Sequence, residues 1–383
     1  MKKFQITLAS KDECTGCSAC VSACPKNCIS MREDKEGFLQ PQIDHSECIK
    51  CHKCEHTCPV LNKGSIANVV ETKAFAAINK DDAVRKESSS GGVFFALAKW
   101  VIDREGVVFG ARWNDSWEVV HDFAETLEGV KAFMKSKYVQ SRIGDTYLQA
   151  KSFLDAGRWV LFSGTPCQLA GLRAFLGKEY ERLLQVDLIC HGVPSPGVWR
   201  KYLESYFSKE KIQSINMREK EMGWDKFRLH IATNREEHVE DRMSNPYFHG
   251  FLIDALHRNS CYQCIFRHYH RATDITIADY WGVKRECPEM YDNKGTSIIF
   301  CHTDKAYSLL EELDNEVSLL PQEKAQAIRS NKGMEVNEAM PDKRARFFRL
   351  FKFTASFKLS EYPIFKDTIS VRAIRKVKKM LAS

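Results

Sequence analysis

The sequence predicts an α+β protein, with a small cysteine-rich module over residues 1–62, an α/β domain over 70–340 and a basic tail over 341–383. Three observations predict it. Two runs of four cysteines share one spacing, Cys14-x2-Cys17-x2-Cys20-x3-Cys24-Pro25 and Cys48-x2-Cys51-x2-Cys54-x3-Cys58-Pro59, set 34 positions apart. Beyond residue 70, short apolar runs of strand length alternate with amphipathic stretches of helix length, the signature of an α/β layer structure. The 383 residues are 44% hydrophobic and 28% charged, an ordinary composition for a chain able to form two or three domains.

In the module, each run holds four thiols and ends in Cys-Pro. Zinc sites usually pair two CxxC knuckles around four ligands, whereas this spacing is that of bacterial ferredoxins, where the fourth cysteine of each run ligates the other cluster. Three closely spaced thiolates wrap three irons of a cubane from one loop, and proline stops the turn beyond them from continuing as a helix. The expectation is a bacterial-type two-cluster ferredoxin domain. One [4Fe–4S] cluster falls on Cys14, Cys17, Cys20 and Cys58, and the other on Cys48, Cys51, Cys54 and Cys24. Residues 29–31 and 38–40 read as a hairpin with Gly37 in its turn. Cys28 is a ninth thiol without a slot, a small buried residue or an extra ligand. Fifteen cysteines, and an N-terminus too polar for a secretory h-region, make the expected compartment the cytoplasm, where thiols bind metals rather than pair. No stretch reaches the roughly 18–20 apolar residues of a membrane span.

Residues 62–68 read as a linker and 73–79 as a buried strand. Ser88–Ser90 are expected to cap a helix from Val93 to Ile102. Gly91 and Gly92 allow a close backbone approach. With Arg85 and Lys86 nearby, this helix start suits a phosphate, but a merely well-capped helix is the stronger reading of the stretch alone. A hairpin follows (107–113 and 117–123). A loop then carries Lys135, Lys137 and Arg142, an anion site or a solvated loop. Two strand–loop–helix units come next, with loops at Gly164-Thr165-Pro166-Cys167-Gln168 and Cys190-His191-Gly192. Open α/β sheets bind ligands at such loops. A polar strand region (212–233), a helix from Asn245, the pair Cys261-x2-Cys264, a strand ending at Gly282 and a last strand–helix unit complete the domain. Cys167, Cys190, Cys261 and Cys264 all lie on loops or helix ends. They can hold a third cluster, or the CxxC can be a redox pair or zinc half-site with the others buried; spacing alone does not choose. Cys287 and Cys301 read as structural.

The stretches SSSGGVFFALA, KSKYVQS, FSGTPCQLAGLR, VDLICHGVPSP and CYQCIFRHYHRATDITIADYWG, in this order over residues 70–300, resemble the family of coenzyme F420 hydrogenase/dehydrogenase β subunits. Its bacterial branch often carries an N-terminal two-cluster module. The resemblance implies that the α/β domain binds FAD, near Ser90, Gly91 and Gly92, near Lys137 and Tyr138, and near Gly164, Thr165 and Gln168, with His191 touching flavin or substrate. It also favours a third [4Fe–4S] cluster on Cys167, Cys190, Cys261 and Cys264. Ala278 stands where the family usually has glycine. The implied activity is an iron–sulfur, flavin-dependent oxidoreductase. Electrons from an external ferredoxin or partner redox subunit would pass through the clusters and FAD to a small organic substrate or a deazaflavin. A non-catalytic electron-transfer member of a larger redox complex, or a redox accessory in surface polysaccharide biosynthesis, are the alternatives.

The net charge of +7 is concentrated in the tail, where twelve Lys/Arg face two Asp/Glu between 343 and 383. The body is therefore slightly acidic, which argues against nucleic acid as a partner. Residues 371–381 place Val371, Ile374, Val377 and Leu381 at helical spacing among five cations, a pattern that suits peripheral contact with an anionic membrane at the inner face, or a solvated terminal helix.

Overall fold

The structure, a computed structural model, describes residues 6–63, 71–268, 271 and 273–351. In the N-terminal module, β1 (Ile29–Glu33) and β2 (Leu39–Ile43) pair antiparallel as the expected hairpin. The two cysteine runs repeat in backbone as well as in spacing. Gly16 and Ser18 in the first run have φ of 71° and 64°, and Lys50 and His52, at the equivalent places in the second, have 56° and 58°. Each run then makes one helical turn, Ala19–Ser22 or Lys53–His56. Left-handed backbone is costly for side-chain-bearing residues, so the second run holds its strained turns without glycine. The first run needs its glycine, because a Cβ on Gly16 would lie 2.9 Å from both Arg258 Nη1 and Gln140 Nε2 of the second domain.

The second domain is built on an eight-stranded mixed sheet. Its strands are β3 (Lys73–Asn79), β4 (Val107–Trp113), β5 (Val119–Ala124), β6 (Val160–Gly164) and β7 (Leu183–Leu188), followed, after an insertion, by β11 (Ile275–Asp279), β12 (Ser297–Cys301) and β13 (Val317–Gln322), in the order β13-β3-β12-β11-β7-β6-β4-β5. The insertion is a three-stranded antiparallel sheet, β8 (Ile212–Glu219), β9 (Arg228–Thr233) and β10 (Glu237–Asp241). Strands β4, β6, β7 and β11 are parallel, and β3 shares their direction because β12 is antiparallel to both β11 and β3. Successive side chains of β6 are buried on opposite faces of the sheet. Leu161 joins one core with the Val93–Ile102 helix, while Val160 and Phe162 join the opposite core with the Thr146–Asp155 and Pro166–Leu176 helices. Both faces are covered, as a sheet with a parallel centre requires. The loops after β3, β6, β7 and β11 consequently gather at one edge.

Strands β3, β6 and β12 and the Val93–Ile102 helix fall where the sequence places them. The expected cap does not. Gly92 is the N-cap residue of that helix, and Ser88 instead ends a short helix, Asp82–Glu87. The helix from Asn245 stops at Leu252, before a left-handed Asp254 with φ of 60°. The start of the basic tail is part of the body: Asp342–Phe351 is a helix that buries Phe347 and Phe348, and its Arg344 pairs with Glu36 at 2.6 Å. The proposed membrane-facing stretch 371–381 lies outside the described residues. Among the described residues no helix is long and apolar enough to cross a membrane.

Arg258, 1% exposed, joins the two domains. It donates to Cys14 O (2.6 Å), Leu39 O (3.0 Å) and Gln40 Oε1 (2.8 Å) of the module, and to Gln140 Oε1 (3.2 Å) of its own domain. Alongside, Gln140 Nε2 donates to Thr15 O at 2.9 Å. Removing Arg258 strands several buried acceptors, each costing about 1–3 kcal/mol. Arg258→Met is therefore expected to lower the melting temperature by roughly 5 °C or more and to make the iron bound near Cys14 labile. A melting curve and iron retention equal to wild type would show that the clamp carries no stability.

Candidate iron–sulfur and electron-transfer site

The crossed ligand sets expected from the spacing are brought together. One cavity is lined by Cys14, Cys17, Cys20 and Cys58 with Leu8, Ala9, Met31 and Val60. The other is lined by Cys24, Cys48, Cys51 and Cys54 with Ile6, Ile29, Ile43 and Ile49. Each cavity thus takes its fourth thiol from the opposite run. Cys28 lines the second cavity as well, its Sγ 3.4 Å from Cys24 Sγ, so it is a buried fifth thiol at that site rather than plain packing.

Electrostatics alone would keep these thiols protonated. Burial, and then neighbouring Cys14 and Cys58, push the Cys17 thiol up to about 12. Burial and the thiols around it raise Cys20 further still. Such groups would not ionise alone; positive metal makes the thiolate the stable form. A mononuclear zinc site would bring Sγ atoms to about 3.8 Å from one another, given Zn–S of about 2.3 Å in a tetrahedron. Among the described residues, no three cysteines bring their Sγ atoms within 4.8 Å of one another. With four thiols of the crossed sets lining each cavity, the residues fit [4Fe–4S].

The four core cysteines also converge. Burial raises Cys167 well above the usual thiol value, and Cys264, Cys190 and Cys261 add to it in turn. Cys261, on the loop that follows Arg258, is pushed up to about 12 by burial and then by Cys190. Cys167 sits in the first turn of the Pro166–Leu176 helix and Cys190 just after β7. This site adjoins the ferredoxin module: Val60, Ala170 and Phe266 pack into one cluster with Cys58, Cys167 and Cys264 at its border. A Cβ on Gly171 would stand 3.0 Å from Cys17 Sγ. The sequence left third-cluster, redox-pair and zinc readings open; what the structure adds is that the four thiols, each half-buried, lie near one another and beside Cys58.

The residues expected at FAD lie at the edge where the strand loops gather, but most of their polar groups are used internally. Ser90 Oγ donates to Thr296 O (2.8 Å), and Gly91 N to Ser297 Oγ (3.0 Å). A Cβ on Gly91 would meet Ala77 O at 2.4 Å, so its smallness serves packing against β3. Gly164 is likewise closed in, a Cβ there lying 2.9 Å from Leu169. Lys137 Nζ donates to the carbonyls of Ala132 (2.9 Å), Met134 (2.8 Å) and Lys135 (3.2 Å), while burial and then Lys135 pull its pKa down to about 7. Thr165 N donates to Gln168 Oε1 (2.9 Å), holding the start of the helix that carries Cys167. Gln168 Nε2 donates in turn to Ser141 Oγ (2.9 Å), whose neighbour is His121 Nδ1 at 2.9 Å. His191 faces Asp254 rather than the other predicted flavin residues.

Sequence reasoning missed the groups that do present themselves at this edge. Arg218, buried, holds Asp279 through two bonds of 2.9 and 2.8 Å, donates to Ser89 O (2.9 Å) and to Tyr138 Oη (3.1 Å), and leaves Nε without a hydrogen-bond partner. Trp224 Nε1 donates to the same Asp279 at 2.7 Å. Trp281, 48% exposed, stacks on Trp224 with centroids 4.9 Å apart. Lys220, whose pKa burial and then Arg218 pull down to about 8, lies beside the same loop, bonded to Arg85 O at 2.7 Å. Arg218 and Lys220 are on β8 and its end, far in sequence from the serine–glycine motif.

Comparison with known proteins finds similarity in two segments of the chain. Residues 13–62 match the 4Fe-4S dicluster domain, and residues 157–325 match the C-terminal part of the coenzyme F420 hydrogenase/dehydrogenase β subunits. The chain is 25% identical over 191 residues to the F subunit of F(420)H(2) dehydrogenase from Methanosarcina mazei, covering 47% of this chain and 53% of that protein. It is 26% identical over 212 residues to the coenzyme F420-dependent sulfite reductase of Methanocaldococcus jannaschii, covering 54% and 32%. The chain thus matches about half of the first relative and a third of the second. Among solved structures, the F420-reducing [NiFe] hydrogenase complex from Methanosarcina barkeri contains a chain 15% identical, with a TM-score of 0.47, covering 71% of this chain and 90% of that one. The molecule is an iron–sulfur electron-transfer protein. Its residues 157–325 are similar to the C-terminal part of F420 hydrogenase/dehydrogenase β subunits, and a 4Fe–4S dicluster domain lies at its N-terminal side.

The thiol assignments are separable by iron content. Cys58→Ser is expected to cost about four of about twelve irons per chain and to leave the Cys24/Cys48/Cys51/Cys54 site loaded, and Cys264→Ser to cost a different four. Equal losses from one shared site would reject the assignment. His121 is buried, its Nε2 3.0 Å from Ser163 O, and burial pulls its pKa down to about 4 from the ordinary 6.5. Between those values the unfolded chain binds the extra proton, so stability should fall as pH drops from about 6.5 to 4, by about 3 kcal/mol. His121→Gln should flatten that part of the stability profile; an unchanged slope would place the acid sensitivity elsewhere.

Proposed function

We propose that the chain is an iron–sulfur flavoprotein that relays electrons between a donor, either a ferredoxin or a partner redox protein, and FAD bound at the C-terminal edge of the parallel strands, serving an organic substrate or a deazaflavin. The carrying observation is the unbroken packing of the three thiol sites. Cys20 of one ferredoxin set feels Cys54 of the other, Cys17 presses on Gly171, and Cys58 borders the same apolar cluster as Cys167 and Cys264. When bound, the clusters supply one-electron carriers and a flavin the conversion to two-electron chemistry.

The chain's own residues would do the following. Cys14, Cys17, Cys20, Cys58 and their crossed counterparts hold the two outer clusters, and Cys167, Cys190, Cys261 and Cys264 the inner one. Thr165, Gln168, Ser141 and His121 hold the Cys167 turn in place. Trp281, stacked and half-exposed, offers a flat face for a planar ring, and Arg218 Nε and Lys220 offer cationic donors for its oxygens or for phosphate. Ser90, Gly91 and Gly92 would support that site through packing rather than by direct donation.

A second reading, a non-catalytic electron-transfer subunit of a larger redox complex, is favoured by the similarity to a dehydrogenase subunit. Anaerobic reduction by an external ferredoxin separates the two. Flavin reduced in the isolated chain supports the first reading, and reduction only after a partner is added supports the second. Trp281→Ala is expected to weaken FAD binding about tenfold, read by titrating flavin into the deflavinated, cluster-loaded protein. Full iron content with no FAD uptake by the wild type would overturn the flavin assignment.

A further inference from the structure

We propose that His191, Asp254 and His257 form a binding site for one divalent transition-metal ion, separate from the iron–sulfur centres. His191 Nε2 stands 2.9 Å from Asp254 Oδ1, and His257 Nδ1 stands 3.3 Å from the same oxygen. One ligand atom from each of the three residues falls within 4.8 Å of the others. A tetrahedral ion with Zn–N and Zn–O of about 2.0–2.1 Å sets its ligand atoms about 3.3 Å apart.

Hydrogen bonding does not account for the approach. Asp254 Oδ1 is buried without a hydrogen-bond partner, and so is His257 Nε2. The imidazoles close on the carboxylate oxygen without aligning a donor to it. The two rings are nearly perpendicular, at 86° with centroids 5.3 Å apart.

The backbone is bent to make this meeting. Asp254 has φ of 60°, where an aspartate is uncommon. Gly192 has φ of 126°, and a Cβ there would lie 2.6 Å from His257 Nδ1, so only glycine lets that ring in behind His191. Strain of this kind persists where the surroundings over-determine it, often at ligand sites. His257 is 1% exposed, while the His191 side chain is 40% exposed, which leaves one side of the group open to solvent. Two imidazoles and one carboxylate with an open position suit zinc, or iron(II), cobalt or nickel, with a water or substrate group completing the shell. The site lies one residue from Cys190, close to the inner thiol set.

The test uses the full chain with its clusters reconstituted anaerobically. Wild type, His191→Ala and Asp254→Asn are equilibrated with zinc against a chelator, then assayed for zinc, iron and sulfide per chain. Asparagine keeps the shape and tolerates φ of 60°, and His191 is half-exposed, so both variants should fold with unchanged iron and sulfide. The expected result is about one zinc per wild-type chain, with affinity reduced at least tenfold in each variant at equal iron content. Zinc uptake that is the same in wild type and variants would assign the ion to the cysteines and overturn the proposal. So would failure of the wild type to take up zinc, cobalt or nickel.

Discussion

The arrangement depends on the guanidinium of Arg258. It is buried, and it donates to a carbonyl of the first cysteine run, to a carbonyl and a side chain of the hairpin, and to Gln140 of the larger domain. Three residues later the same loop delivers Cys261. This side chain therefore helps to set the position of the outer thiol set relative to the inner one. A ferredoxin module tethered by a flexible linker would leave that separation free to vary. Here it is held by donors with nowhere else to go, since a buried guanidinium without acceptors is costly.

The contacts around this clamp explain otherwise arbitrary residue choices. The two cysteine runs have the same left-handed turns, yet only the first uses glycine, at position 16, where a side chain would collide with Arg258 and Gln140. Gly171 is small because Cys17 lies against it. Phe347 and Phe348, in what reads as the start of a basic tail, are buried with Phe38 of the hairpin, and Arg344 of the same helix pairs with Glu36. The module is thus enclosed by the second domain from several sides.

The edge of the large sheet has a different character. The serine–glycine loop after β3 is packed against β12, and its polar groups are used to hold that packing. At the same edge, Trp281 is half-exposed, Arg218 is buried and paired with Asp279, and Lys220 is bonded to the carbonyls of Arg85 and Lys294. Asp279 organises them by accepting from both Arg218 and Trp224.

The sequence by itself determined the ferredoxin module, the crossed grouping of its eight cysteines around two cavities and the places of strands such as β3, β6 and β12. Those features rest on local rules: thiol spacing, two-residue alternation and apolar run length. It left open whether Cys167, Cys190, Cys261 and Cys264 meet, because they come from three loops whose distance apart is set only by strand order. It misplaced the cap of the Val93–Ile102 helix, because serine propensity was overridden by the packing of Gly91 against Ala77. It was silent on Arg258, Arg218 and Asp254, whose roles depend on partners remote in the chain. Tertiary structure alone decided these, because each depends on which distant backbone or side chain fills the one place where a buried charge can be satisfied.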